Sequence, residues 1–231
     1  MALFEARNIA CKRGEHLLFD LLNFSVASGE ALVLTGANGS GKSSLLRVVA
    51  GLIQRRAGDF LWNGRTMRPD GDQHRRRLIY LGHGDALKAN LTPRENLRFW
   101  ADLVGLPGGQ AVSVVEQALE EDHLEPFADL PARFLSAGQR RRLALSRLRL
   151  QPSSAVPLWL LDEPTNALDG EARRRLIVLL GRHLAFGGLI ILATHDPLRE
   201  LPGRHLRIDA YAPGPVDDRA DVIHRDHGEA I

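Results

Sequence analysis

Gly36-Ala37-Asn38-Gly39-Ser40-Gly41-Lys42-Ser43 reads as G-x-x-x-x-G-K-[ST], a loop built to cradle phosphate. Before it, Ala31-Leu32-Val33-Leu34 is an apolar run suited to a buried strand; after it, Ser44-Leu45-Leu46-Arg47-Val48-Val49 has helical spacing. Strand, glycine-rich loop and helix in that order are the context the motif requires. Successive backbone N–H groups in such a loop point inward, and the following helix offers its positive end to an anion. The glycines let the backbone approach phosphate closely, Lys42 reaches the terminal phosphates, and the Ser43 hydroxyl ligates Mg²⁺. The expected phosphate contacts are thus Gly36, Ala37, Asn38, Gly39, Ser40, Gly41, Lys42, Ser43 and Ser44.

Further along, Leu160-Leu161-Asp162-Glu163 ends a continuous apolar strand with two carboxylates, and ligands of open α/β sheets bind at such carboxyl ends. Asp162 suits Mg²⁺ beside Ser43, and Glu163 suits a general base that polarises an attacking water. His195 ends the next apolar strand, Leu189 to Ala193, on the same sheet edge. Its expected task is to hydrogen-bond the terminal phosphate and orient that water. Leu135-Ser136-Ala137-Gly138-Gln139 opens a helix, with Ser136 as N-cap and Gln139 completing a capping box. A helix start with a glycine beside it is a second place for an anion.

With 231 residues and 44 % hydrophobic content, the chain can bury a full core as one domain with an insertion. Its longest apolar runs, such as Leu176 to Leu180, fall far below the roughly 18 residues a membrane span needs. Met1-Ala2-Leu3-Phe4-Glu5 lacks a basic region followed by an apolar stretch, so no secretory signal is expected. The single cysteine, Cys11, is expected only to pack. Net charge is +2, so carboxylates nearly balance the arginine runs Arg75-Arg76-Arg77, Arg140-Arg141-Arg142 and Arg173-Arg174-Arg175. These runs read as solvated helix faces, and no direct nucleic-acid partner is expected.

Organisation follows from punctuation and period. Leu22 to Val26 alternates as a half-buried strand, and Asn63-Gly64 marks a tight hairpin, so antiparallel strands accompany a parallel core. Thr92-Pro93-Arg94-Glu95 is a capping box with proline at the first helical position, and Ser113 to Glu116 reads as a second helix start. The stretch 91–150, signature helix included, is therefore expected as a helical insertion. A helix over Gly170 to Ala185, stopped by Gly187-Gly188, links the two apolar strands in a right-handed crossover. From Asp209 the pattern fades into a polar tail, whose His224, Asp226, His227 and Glu229 are too loosely placed to read as a metal site.

Taken together, the phosphate loop, the Leu-Ser-x-Gly-Gln segment, the Asp-Glu pair, the Ala167-Leu168-Asp169 loop and His195 stand in the order found in one family. Over about 3–208 the chain resembles the nucleotide-binding subunit of ATP-binding cassette (ABC) systems. The resemblance implies an α/β P-loop ATPase domain over 1–208, with an antiparallel portion, an inserted helical subdomain and a tail from 209 to 231. It implies ATP and Mg²⁺, with Lys42, Glu163 and His195 catalytic and with Ser43 and Asp162 on the metal. It also implies a homodimer in which Ser136, Gly138 and Gln139 of one copy complete the other's site, and it places Asp169 among the nucleotide-binding residues. Since the chain shows no span of its own, a separate integral membrane subunit is implied, with peripheral attachment at the cytoplasmic face of a bacterial inner membrane.

Two positions depart from the family pattern. His83 stands where glutamine usually contacts Mg²⁺ and the membrane partner, and Arg13 replaces the aromatic residue that stacks on adenine. A guanidinium plane can also stack on a base. Tyr80-Leu81-Gly82-His83, Lys88, Leu91-Thr92, Glu95-Asn96-Leu97 and Phe134 to Leu148 are similar to the ATPases of cytochrome c biogenesis, which implies a role in haem delivery. No Cys-x-x-Cys-His haem-attachment motif accompanies them. The competing readings are a cassette ATPase for another cargo, such as a lipid or small solute, and a soluble nucleic-acid-linked ATPase. Neither tandem cassettes nor long coiled-coil insertions favour the latter. A nucleotide-binding module without turnover is opposed by Glu163 and His195.

Overall fold

The chain opens with a long hairpin, β1 (Leu3–Arg13) and β2 (His16–Ala27), before β3 (Ala31–Thr35) delivers it to the phosphate loop and α1 (Lys42–Val49). The computed structural model describes residues 3–150, 157–195, 201 and 203–213. A second hairpin, β4 (Ala57–Trp62) and β5 (Arg65–Met67), turns at Asn63 and Gly64, both at positive φ as the Asn-Gly pair requires. Then come a short α2 (Asp72–Arg75), β6 (Leu78–Leu81), and the helices α3 (Pro93–Leu103), α4 (Gly108–Glu121) and α5 (Ala137–Ser146). The chain returns through β7 (Leu158–Asp162), α6 (Gly170–Ala185), β8 (Leu189–Ala193) and β9 (Gly203–Arg207).

Two sheets result. The antiparallel sheet runs β2-β1-β4-β5 and the parallel sheet β6-β7-β8-β3-β9. Because side chains alternate along a strand, β3 and β8 each serve two cores. Leu32, Leu34, Leu189 and Ile191 face α1 and the antiparallel sheet, where Phe4, Phe19 and Phe60 also lie. Ala31, Val33, Ile190 and Leu192 face the other way, against Leu176, Leu180 and Leu184 of α6. Strands covered on both faces carry continuous apolar runs, which is how β7 and β8 were readable. Cys11 packs in the first of these cores, fully buried, and burial pushes its thiol pKa up.

A third apolar cluster joins α3, α4 and α5 through Leu97, Ala101, Val115, Leu119 and Leu143. The Thr92 capping box is complete: its side chain accepts from Glu95 N and the Glu95 carboxylate accepts from Thr92 N. The helix start expected at Ser113 is not there. α4 begins at Gly108, after Pro107, because its buried stripe already includes Ala111 and continues through Val115, Ala118 and Leu119. Asp209 likewise does not begin a loose tail. Residues Ile208–Tyr211 form a 3₁₀ turn whose Ile208 is buried and whose Tyr211 packs on the first core. His224, Asp226, His227 and Glu229 lie outside the described residues.

Candidate nucleotide site

The phosphate loop emerges from β3 at the carboxyl edge of the parallel sheet. Gly36, Gly39 and Gly41 sit at φ of 133°, 83° and 104°, a left-handed path that favours glycine. Space is also short at Gly41, where a Cβ would stand 3.0 Å from the Phe19 ring. No side chain caps α1. Lys42 is buried, and its Nζ donates to the carbonyl oxygens of Gly36 and Ala37 at 2.8 and 3.0 Å.

Ser43 Oγ donates to Asp162 Oδ1 at 2.9 Å, joining the start of α1 to the end of β7. The other carboxylate oxygen, Asp162 Oδ2, is buried with no hydrogen-bond partner among the described residues. An unsatisfied buried carboxylate oxygen beside a hydroxyl forms an all-oxygen set that fits a small, hard cation such as Mg²⁺.

β7 and β8 are neighbours in the sheet, with Asp162 paired to Ala193, so the residues after them meet. Glu163 turns sharply at φ 49°, donating its N–H to Ala193 O at 2.8 Å. Its Oε2 accepts from His195 N at 3.3 Å, and Oε1 lies 3.4 Å from His195 Nε2. The carboxylate is mostly buried while the histidine side chain is 55 % exposed. Glu163 and His195 line a cleft of ≈ 810 Å³ together with Asn38, Gly39, Gly41, Lys42, Ser43 and Ser44. Arg13, Leu18, His83, Thr165, Asn166 and Ala167 line it as well. Arg13 and His83, the two departures from the family pattern, thus both reach the cleft.

Ser136, Gly138, Gln139 and Asp169 do not line it. Ser136 caps α5 reciprocally, accepting from Gln139 N at 3.2 Å while Gln139 Oε1 accepts from Ser136 N at 2.7 Å. Gly138 packs against the loop after β7, where a Cβ would stand 2.9 Å from Ala167 O. Asp169 caps α6 by accepting from Ala172 N at 2.8 Å, and that backbone bond holds its carboxyl below the usual range. One chain therefore carries the phosphate loop and the α5 start as separate surfaces.

Sequence reasoning missed Arg141. The run Arg140-Arg141-Arg142, expected as a solvated face, is turned inward: Arg141 is 4 % exposed, Arg140 Nη1 donates to Leu135 O, and Arg142 Nη1 donates to Asp122 O. Most of their acceptors are backbone carbonyls, which leave no signature in a sequence; the exception is the Asp85 carboxylate beside Arg141. Arg75, Arg76 and Arg77 are exposed as expected. Leu18, Thr165 and Asn166 were also missed; only their proximity to the recognised motifs could have drawn attention to them.

The family model described as ABC transporter matches residues 19–166, and the chain belongs to that family as an ABC-type ATPase. Curated proteins similar to it over most of its length include several named cytochrome c biogenesis ATP-binding export protein CcmA. The protein of that name from Paramagnetospirillum magneticum is 46 % identical over 209 residues, covering 90 % of this chain and 95 % of the relative. That from Rhodospirillum rubrum is 46 % identical over 215 residues, with 93 % and 89 % covered. A solved ATP-binding subunit of an ABC transporter superposes with a TM-score of 0.74 at 29 % identity, covering 84 % of this chain and 79 % of that one. The dimeric post-hydrolysis ATP-binding cassette MJ0796, bound to ADP and Pi, shares the fold with a TM-score of 0.75 at 24 % identity, covering 88 % and 93 %. Among the described residues no helix is long and apolar enough to cross a membrane.

Proposed function

We propose that this chain binds and hydrolyses ATP as a homodimer and delivers the resulting motion to a separate integral membrane subunit in c-type cytochrome biogenesis, as a step in haem delivery. The observation that carries the catalytic part is the meeting of Glu163 and His195, 3.4 Å apart, on the sheet edge that also holds Lys42, Ser43 and Asp162. The main support for the biogenesis role is the 46 % identity to relatives named for it, over nearly their whole length. Peripheral attachment at the cytoplasmic face of the inner membrane follows from that same likeness.

In this reading backbone N–H groups from Gly36 to Ser44 bind the phosphates, and Lys42 turns its ammonium to the terminal ones. Arg13 lies against the base, and His83 reports on the terminal phosphate. Ser43 and Asp162 hold Mg²⁺, with His83 beside them; the ion supplies charge neutralisation at the phosphate oxygens. Glu163 accepts a proton from the attacking water, and His195 orients that water and stabilises the growing negative charge. The domain spans 1–208 and extends through the 3₁₀ turn that ends at Tyr211, with 91–150 as the helical insertion.

Ser136, Gly138, Gln139 and Asp169 stand apart from the cleft of their own chain, which supports their serving the partner copy. ATP then closes two subunits together, and its cleavage releases them. Glu163→Gln is expected to bind ATP and elute as a dimer, where the parent chain elutes as a monomer; an unchanged monomer peak with ATP present counts against the mechanism. For the biogenesis role, the chain is expected to restore cytochrome c maturation to a bacterium lacking its own CcmA, and Lys42→Ala to fail.

A further inference from the structure

Arg141 projects from α5 beneath the reactive edge, and its guanidinium meets two separate segments, residues 82–85 and 162–163. Nη2 donates to Asp162 O at 2.9 Å and Glu163 O at 2.8 Å, while Nη1 donates to Gly82 O at 3.2 Å and faces Asp85 Oδ1 at 3.3 Å. The side chain is 5 % exposed, and its Nε is buried without a partner among the described residues. A buried unsatisfied donor is a cost that a core built only for stability would shed. Here the fork is spent on three carbonyls and one carboxylate. Two of them belong to the residues that carry the reactive carboxylates, and one immediately precedes His83.

The backbone it grips is itself unusual. Glu163 is a non-glycine residue at φ 49°, a conformation that needs outside support. Ala193 O receives its N–H, and its carbonyl receives both Asn166 N and the guanidinium. Releasing the guanidinium leaves that carbonyl to the longer Asn166 bond alone, at 3.2 Å, and the carboxylate pivots on a looser turn. Ala137 lies one helical turn before Arg141 on the same face of α5, so the start of this helix and the guanidinium move together.

We propose that Arg141 is a positioning residue for Glu163: it holds the left-handed turn that aims the carboxylate and ties that turn to both α5 and the segment through His83. This rests on the reading of Glu163 as general base. The chemistry asks for a planar, permanently charged fork, since one ammonium cannot span carbonyls on opposite sides. A shift of α5 on dimer closure is thereby read at the base.

The test measures ATP turnover by the full chain for Arg141→Met, Arg141→Lys and Glu163→Gln, with cooperative melting as a check on folding. A misaimed base loses rate and leaves substrate binding alone, so Arg141→Met is expected to lower kcat about 100-fold with KM within about threefold. Arg141→Lys, which can still reach one or two of the carbonyls, is expected to recover about tenfold of that loss. A folded Arg141→Met whose kcat stays within about threefold of the parent overturns the proposal, as does a loss that resides in KM. If Arg141→Met does not melt cooperatively, Arg141→Lys decides by the same two criteria. Glu163→Gln separates the two ideas: if it turns over normally, the general-base reading fails whatever Arg141 does; if it is dead while the Arg141 variants are active, only the positioning role fails.

Discussion

Two helices that begin near the reactive edge solve the same problem in opposite ways. α1 starts at Gly41 with no side-chain cap, so its first N–H groups are left to whatever the loop holds. α5 starts at Ser136 with a complete capping box, Ser136 and Gln139 each satisfying the other's backbone. An uncapped start beside a lysine is built to receive phosphate by main chain and charge. A capped start is already content, and it offers a rigid, shaped surface for something docked from outside. The contrast accounts for how one chain can carry two anion-suited helix ends that do not face one cleft.

The comparison breaks most sharply at Lys42. Lys42→Ala removes the ammonium that supplies two or three charge-assisted hydrogen bonds, and ATP affinity is expected to fall by about a thousandfold or more. Titration with a fluorescent ATP analogue measures it; affinity within about tenfold of the parent would put phosphate binding on the backbone alone. α1 packs directly on the parallel sheet, and α5 reaches it through Leu145, so a blow to that sheet should loosen α1 more than α5.

His183 delivers such a blow in acid. Its ring lies flat on Trp159 of β7 at 3.7 Å between centroids, and burial lowers its pKa from 6.5 to about 4. The unfolded chain takes up that proton first, so stability is undiminished above pH 6.5 and declines as pH falls toward 4, by about 3 kcal/mol. His74, buried between the Trp62 indole and Val49 O, is shifted in the same direction by the same cause. Denaturant melts across that range should show the decline, with His183→Phe flattening much of it. The smallest effect belongs to α5: Ser136→Ala is expected to cost about 1 kcal/mol of stability. It should spare ATP binding by the single chain and weaken ATP-driven dimerisation in the Glu163→Gln background, as read by size exclusion. Equal losses in both would erase the distinction between the two helix starts.

The parts legible in the sequence were those whose cause is local. Asn63-Gly64 imposes its own turn, Thr92 and Ser136 announce their capping boxes within four residues, and strands buried on both faces write continuous apolar runs. The start of α4 was misplaced because Ser113 carries the right chemistry for a cap, while the first buried position, Ala111, is too small to register as periodicity. Arg141 was invisible for a deeper reason. Whether an arginine in a basic run is solvated or buried depends on which carbonyls await it, and here they come from residues 82, 162 and 163.

Gly138 and its neighbour Ala137 illustrate how unequal adjacent small residues can be. Ala137 is exposed, whereas any side chain at 138 meets the Ala167 carbonyl. Folding of the lone chain therefore purges substitutions only at the second position, and whatever constraint the first carries is set by what docks on it, so that drift among descendants of this gene would separate the demands of the fold from those of assembly.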